Sequence, residues 1–313
     1  MARAFIFPGQ GSQAVGMGQA LSLASAAARE VFQEVDEALG QNLSKLMFEG
    51  PEADLTLTEN AQPAIMANAI AALRVLEKEG GLLLADKAAY VAGHSLGEYT
   101  ALCAAGSLGL AETARLLKLR GQAMQAAVPV GEGAMAALLG LDFEAAVKAA
   151  AEGAQGEVCQ AANDNAPGQV VLSGTFDGLE AATAGLHEAG VRKIVPLKVA
   201  GPFHSPLMTG AAKAFGTLLA GATFADAAIP VIQNTDPTPT SDAAMIRQRL
   251  LGQITSPVRW TETMRALLAA GVEVAIECGP GSVLAGLARR VDGLTVLSAE
   301  DAGLDRVMEV LAA

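Results

Sequence analysis

The pentapeptide Gly93-His94-Ser95-Leu96-Gly97 constrains this chain more than any other feature. It follows the apolar stretch Ala88-Ala89-Tyr90-Val91-Ala92 and precedes a helix-forming run, so the pattern predicts strand, sharp turn and helix. A G-x-S-x-G elbow holds a serine hydroxyl out at the end of a strand, and its glycines let the chain turn tightly around that serine. A serine that opens a helix also sits among unpaired backbone N–H groups, at the positive end of the helix dipole. Both features favour an oxyanion. The pattern points to covalent acyl chemistry carried by Ser95.

Strands alternating with helices place the elbow in an α/β layer architecture with a mainly parallel sheet. Residues 3–7 read as a short buried strand running into Gly9-Gln10-Gly11-Ser12-Gln13, and Pro63 is expected to open a helix through Ile65, Ala69, Leu73 and Leu76. Helices are predicted near 96–105 and 111–126, and short strands at 229–232, 272–276 and 294–297. Between about 128 and 198 the rhythm changes. Strands at 134–139, 158–162, 169–172 and 193–199, with helices at 143–151 and 178–189, give the order β-α-β-β-α-β, a ferredoxin-like arrangement. The expected organisation is a large α/β subdomain (1–127 and 199–313) with a small inserted subdomain (128–198), and a ligand cleft between the two.

Composition limits the partners. The chain has 313 residues, enough for a large core, with 51% hydrophobic and 17% charged residues. No apolar run approaches the ~18 residues of a membrane span. The start reads as a short strand ended by Pro8, without a signal peptide's layout. Cys103, Cys159 and Cys278 lie in apolar surroundings without metal-type spacing and read as buried thiols. A cytoplasmic protein is expected, with monomer as the default state. The net charge of −12 argues against nucleic acid and anionic membranes. It equally opposes coenzyme A or an acidic carrier protein, so such a partner requires a local basic patch. Arg192, Lys193, Lys198, Arg289 and Arg290 are the candidates.

An elbow serine needs a base within hydrogen-bond reach. The chain has three histidines. His94 adjoins the serine, where the backbone turns its ring away, and His187 falls on a predicted solvated helix face. His204, in the junction loop Gly201-Pro202-Phe203-His204-Ser205-Pro206, remains as the general base. Asp142, Asp164 and Asp177 lie between Ser95 and His204, but capping at turns and helix starts explains them better. The third group need not be a carboxylate, since a backbone carbonyl can orient an imidazole.

On the 111–126 helix, Arg115, Lys118, Gln122 and Gln125 form a polar stripe. Arg120 stands about 200° from Lys118, between Leu116 and Met124 on the apolar face. A guanidinium aimed inward needs a partner, and its fork suits a carboxylate. Beside an elbow serine, a substrate carboxylate fits.

GHSLGEYTAL, FIFPGQGSQ, KLRGQAMQ, the Phe-His of GPFHSP, GQITSPVRW and ECGPG occur together in order along nearly the full length. In this combination the chain resembles the malonyl-CoA:acyl carrier protein transacylases of bacterial type II fatty acid synthesis. The resemblance implies a hydrolase-like α/β core with an inserted ferredoxin-like subdomain. It implies malonyl-CoA and holo acyl carrier protein as substrates, and no metal or redox cofactor. It assigns Ser95 as nucleophile, His204 as base, Gln253 as donor of the backbone carbonyl that orients the imidazole, and the N–H groups of Gln10 and Leu96 as oxyanion hole. Arg120 becomes the malonyl-carboxylate clamp, and Phe203 the bulky residue linked to malonyl over methylmalonyl selection. Gln62, Met124, Asn163 and Val283 are implied pocket residues. Two other readings use the same serine: an esterase or thioesterase with water as acceptor, and a discrete acyltransferase loading a polyketide synthase carrier.

Overall fold

The computed structural model describes residues 2–129, 131–184, 186, 190–197, 199 and 201–312. Among the described residues ten strands run in chain order as β1 (Ala2–Phe7), β2 (Tyr90–Gly93), β3 (Gly133–Leu139), β4 (Cys159–Ala166), β5 (Gln169–Thr175), β6 (Lys193–Pro196), β7 (Val231–Ile232), β8 (Val258–Arg259), β9 (Val272–Glu277) and β10 (Thr295–Ser298). They form two five-stranded sheets.

The first sheet has the order β10-β9-β1-β2-β7 with every pair parallel. Successive side chains of a strand point to opposite faces, and β1 shows the consequence. Phe5 and Phe7 enter a large core built on the Thr58–Lys78 helix, while Ala4 and Ile6 enter a second core around Trp260 and Met264. Helices therefore cover both faces. The loops at the C-terminal ends of β1, β2 and β7 converge at one edge, where open parallel sheets bind ligands. Gln10, Ser95 and Asn234 stand on those loops.

The second sheet has the order β6-β3-β5-β4-β8. Its first four strands are antiparallel, and with the helices Phe143–Gly153 and Phe176–Thr183 they make the ferredoxin-like arrangement. β8, from the 255–260 stretch, adds itself parallel to β4 by pairing Asn163 with Val258 and Asp164 with Arg259. The sequence reading lacked this strand, because two residues carry no periodicity.

Several elements differ from their predicted form. Pro63 lies inside the Thr58–Lys78 helix and does not open it. The turn before it packs so closely on the Leu110–Ala126 helix that a Cβ on Gly121 would strike Thr58 O and Glu59, and this packing offsets the backbone bond a proline cannot make. β4 extends to Ala166 through two register shifts, so Asp164 is a buried strand residue and not a cap. Its carboxylate accepts the Thr261 hydroxyl at 2.7 Å. Asp142 does cap its helix, accepting from Ala145 N, whereas Asp177 sits in a first turn that Thr175 caps. The second inserted helix is shorter than expected, Phe176–Thr183. His187 and Lys198 lie outside the described residues. All three cysteines are free; Cys278 is buried, but Cys103 and Cys159 are only partly so.

Candidate active site

The elbow is a close-packed crossing of backbone. β2 pairs with β1 up to Gly93 opposite Phe7, and His94 N then donates to Phe7 O at 3.0 Å. A Cβ on Gly93 would collide with Gly97 O, and one on Gly97 with Phe7 O. Both glycines are needed for close approach. A Cβ on Gly9 would meet His94 O, so the loop carrying Gln10 lies directly against the elbow. Ser95 takes a left-handed φ of 53°, a conformation that costs a non-glycine residue about 1–3 kcal/mol and persists only where the surroundings enforce it. Among the described residues, the amide N–H groups of Gln10 and Leu96 make no hydrogen bond within the chain. They are free donors beside the serine.

Ser95 Oγ lies 2.8 Å from His204 Nε2. On the other side of the ring, Nδ1 lies 3.0 Å from Gln253 O and 3.1 Å from Ser256 O. Carbonyl oxygens only accept, so Nδ1 carries the proton and Nε2 is left to accept from the serine hydroxyl. On the side away from Ser95 the imidazole is thus oriented by backbone carbonyls, with no carboxylate on Nδ1 among the described residues. His204 is itself held at a φ of 55°, and Gln160 on β4 donates from Nε2 to His204 O at 2.8 Å. Burial, followed by the nearby Arg120 charge, pushes the imidazole down to about 3, while the bonds to Gln253 and Ser256 oppose the shift. His204 is therefore neutral at ordinary pH. His94 points away, its Nε2 2.8 Å from Asn165 Oδ1 and its ring edge-on to Trp260.

Arg120 is 1% exposed and projects from the Leu110–Ala126 helix toward the serine. Nη2 donates to Ser95 Oγ at 3.2 Å and to Gln253 Oε1 at 3.0 Å, and Nη1 donates to Gln62 Oε1 at 2.8 Å. Its guanidinium carbon stands 5.5 Å from the Tyr99 ring centroid. No carboxylate lies within ion-pair distance of it among the described residues. Burial lowers its pKa, and the neighbouring Tyr99 and Glu98 act against that. A buried cation held only by neutral amides and a hydroxyl is an incomplete ion pair. The missing anion would sit against Ser95.

The other predicted residues divide. Gln62 belongs to the cluster and also donates to Met124 Sδ at 3.7 Å, so both stand behind Arg120. Gln253 has three contacts there: its carbonyl on His204, its Oε1 on Arg120, and its Nε2 donating to Ser95 O at 3.0 Å. Phe203 is buried in the large core immediately before His204. Asn163 is buried on β4. Val283, 47% exposed at the start of the Val283–Ala288 helix, shares no hydrogen bond with the cluster. A cavity of roughly 580 Å³ between residues 12–21 and Gly279–Gly281 is lined by none of Ser95, His204 and Arg120.

Sequence reasoning missed Gln160, Ser256, Glu98, Gln233 and Asn234. Glu98 is fully buried on the first turn after the elbow, and its pKa is raised by that burial. It accepts Gln233 Nε2 at 2.9 Å and Asn234 N at 2.7 Å. The available signal was position: Gln233 and Asn234 directly follow an apolar strand, at the sheet edge where sites gather.

An elbow serine, a base without a carboxylate partner and an unpaired inward cation, on a parallel α/β sheet with a ferredoxin-like insert, define an acyltransferase class of site. The acyl transferase domain family matches residues 4–303. The chain is 45% identical over 290 residues to the malonyl CoA-acyl carrier protein transacylase of Bacillus subtilis, covering 92% of this chain and 90% of that protein. A crystal structure of acyl-carrier-protein-S-malonyltransferase from Bartonella henselae is 47% identical, with a TM-score of 0.96 and full coverage of both chains. A 40% identical structure with a TM-score of 0.94, covering 99% of this chain and all of that one, shows a type II PKS acyl-carrier protein in complex with its malonyl-transacylase. The chain belongs to the malonyl CoA-acyl carrier protein transacylase family.

Proposed function

We propose that this protein moves a malonyl group from malonyl-CoA to the phosphopantetheine thiol of holo acyl carrier protein, through a malonyl ester on Ser95. The observation that carries the reading is the shared hydroxyl. Ser95 Oγ lies between a neutral imidazole at 2.8 Å and an unpaired buried guanidinium at 3.2 Å. The first activates the oxygen, and the second marks where an acyl group with a terminal carboxylate would be held.

In the first half-reaction His204 Nε2 takes the Ser95 proton as Oγ bonds to the thioester carbon. The carbonyl becomes an oxyanion facing the N–H groups of Gln10 and Leu96, an interaction worth about 3–4 kcal/mol per donor in comparable sites. The C–S bond then breaks, and the departing CoA sulfur takes the proton from His204. In the second half-reaction the carrier thiol gives its proton to His204 and attacks the ester, and Ser95 regains a proton as it leaves. These steps balance with the chain's own groups and two substrates, so the proposal includes no cofactor. The malonyl carboxylate also neutralises Arg120, which removes one of the two main causes holding the imidazole down.

Arg120 fixes the acyl group in reacting geometry and disfavours acetyl-CoA, which would leave the cation unpaired. The relative seen with a PKS carrier makes the polyketide carrier the second reading for the acceptor. No helix among the described residues is long and apolar enough to cross a membrane, and the thiols are free, which fits a cytoplasmic setting.

Intact mass after mixing with malonyl-CoA tests the reading. The expected result is one malonyl adduct on the native chain, none on Ser95→Ala, and discharge by holo carrier. Rapid loss of the adduct in buffer without thiol would make the protein a thioesterase. Comparing fatty acid and polyketide carriers as acceptors decides between the two transferase readings.

A further inference from the structure

The left-handed turn at Ser95 is fastened by a residue outside the Ser95–His204–Arg120 cluster. Asn234 follows β7, the strand beside β2, and its side chain takes over where that pairing stops at Ala92 opposite Ile232. Nδ2 donates to Gly93 O at 2.6 Å, and Oδ1 accepts from Ser95 N at 2.7 Å. One amide bridges the two residues that flank His94. The sense of both bonds is fixed, because Gly93 O only accepts and Ser95 N–H only donates. The bridging group must therefore offer a donor and an acceptor side by side.

Asn234 is fully buried and is held in turn by Glu98, which accepts its backbone N–H and the Gln233 side chain. Glu98 belongs to the Gly97–Ala104 helix that the elbow opens. The elbow, its helix, Glu98 and Asn234 thus form a closed circuit of covalent chain and hydrogen bonds. The circuit engages the amide of Ser95 and leaves the next amide, Leu96, without a partner among the described residues.

We propose that Asn234, anchored by Glu98, is the positioning residue of this site: its amide holds the elbow so that Ser95 Oγ meets His204 while Leu96 N–H stays free for the reacting carbonyl. The inference rests on the reading of Ser95 as the acyl-accepting serine.

The test follows malonyl adduct formation with time in the native protein, Ser95→Ala, Asn234→Ala and Asn234→Asp. Asn234→Ala is expected to lower kcat about 100-fold, the usual cost of a small misplacement, with KM for malonyl-CoA changed less than about threefold. Asn234→Asp keeps the shape. Its neutral acid can donate to Gly93 O and accept from Ser95 N–H, whereas its carboxylate can only accept. Its rate relative to the native protein should therefore rise about tenfold or more between about pH 8 and about pH 5. Melting curves of both proteins across the same pH range separate loss of fold from loss of positioning, and a flat ratio where both are folded overturns the proposal. Should Asn234→Ala fail to fold, the Asn234→Asp ratio decides alone. A native chain that gains no adduct overturns the reading of Ser95 and this inference with it. A labelled native chain with Asn234→Ala acylating at an equal rate overturns the inference alone.

Discussion

Arg120 donates to the Ser95 hydroxyl from Nη2 at 3.2 Å and has no carboxylate partner among the described residues. A guanidinium in this position can discriminate between acyl groups. It is fixed by Gln62 and Gln253 through neutral acceptors, so its direction is set while no carboxylate among the described residues stands within ion-pair distance of it.

Replacing Arg120 by Ala should therefore separate two substrates. Losing one partner of a buried, hydrogen-bonded ion pair costs about 3–5 kcal/mol, which is roughly 150- to 5,000-fold in kcat/KM for malonyl-CoA. Acetyl-CoA makes no such pair, so its transfer should be kept or increased. The measurement is kcat/KM for both thioesters in both proteins. An equal loss for the two would remove Arg120 from the role of clamp.

The second prediction concerns acid. His204 acts as base only when neutral, and its pKa is pushed from 6.5 down to about 3 by burial and by Arg120. The kcat/KM profile of the native protein should lack an acidic limb near pH 6.5. In Arg120→Ala, with acetyl-CoA as substrate, such a limb should appear at higher pH than in the native protein. Stability follows with a definite sign. Between pH 6.5 and about 3 the unfolded chain takes up a proton that the folded chain refuses, so this group's contribution is present above 6.5 and is lost as pH falls toward 3. His204→Ala should flatten that part of the stability curve in urea titrations.

Much of this arrangement is legible in the sequence, and the gaps have physical reasons. The elbow announces itself because only small residues tolerate its backbone crossings, and Arg120 because it breaks an apolar helical stripe. The carbonyl of Gln253 follows from family resemblance but not from chemistry, since every residue has a carbonyl. Lys118 belongs to the polar stripe of its helix, yet it is partly buried and pairs with Glu59. Such long-range partners leave no local periodicity. The same holds for Asn234 and Gln160, single amides on a loop and on a strand that become meaningful only when the chain brings them to the elbow and to His204.

Gln160 gives the third prediction. From β4 its Nε2 reaches His204 O at 2.8 Å and Thr255 O at 3.3 Å, so the second sheet helps to hold the backbone of a base carried by a loop of the core. Gln160→Ala leaves that carbonyl without its donor, a loss of about 1 kcal/mol for a neutral bond. Because His204 also sits at a strained φ, the change should appear in kcat, by about five- to tenfold, with KM for malonyl-CoA nearly constant. Steady-state kinetics together with a melting curve checks it. A raised KM at constant kcat would place Gln160 in substrate binding.

The last prediction addresses the carrier. With a net charge of −12 the chain repels an acidic partner at long range, so a docking surface needs local positive charge. Arg192, Lys193, Arg289 and Arg290 are all exposed, and none forms an ion pair among the described residues. Two of them flank one feature. Gly140 N donates to Gly168 O at 2.8 Å, joining two turns of the insert. A Cβ on Gly140 would lie 3.0 Å from Arg192 Cγ, and one on Gly168 would lie 4.0 Å from Arg290 Nη1. The insert and the core thus present their cations side by side. Reversing both, as Arg192→Glu with Arg290→Glu, should raise KM for holo carrier about tenfold and weaken its dependence on salt. KM for malonyl-CoA should change far less, since one small ligand samples only part of the patch. An unchanged KM for carrier would exclude this surface, and an equal rise for malonyl-CoA would assign it to the phosphates of coenzyme A.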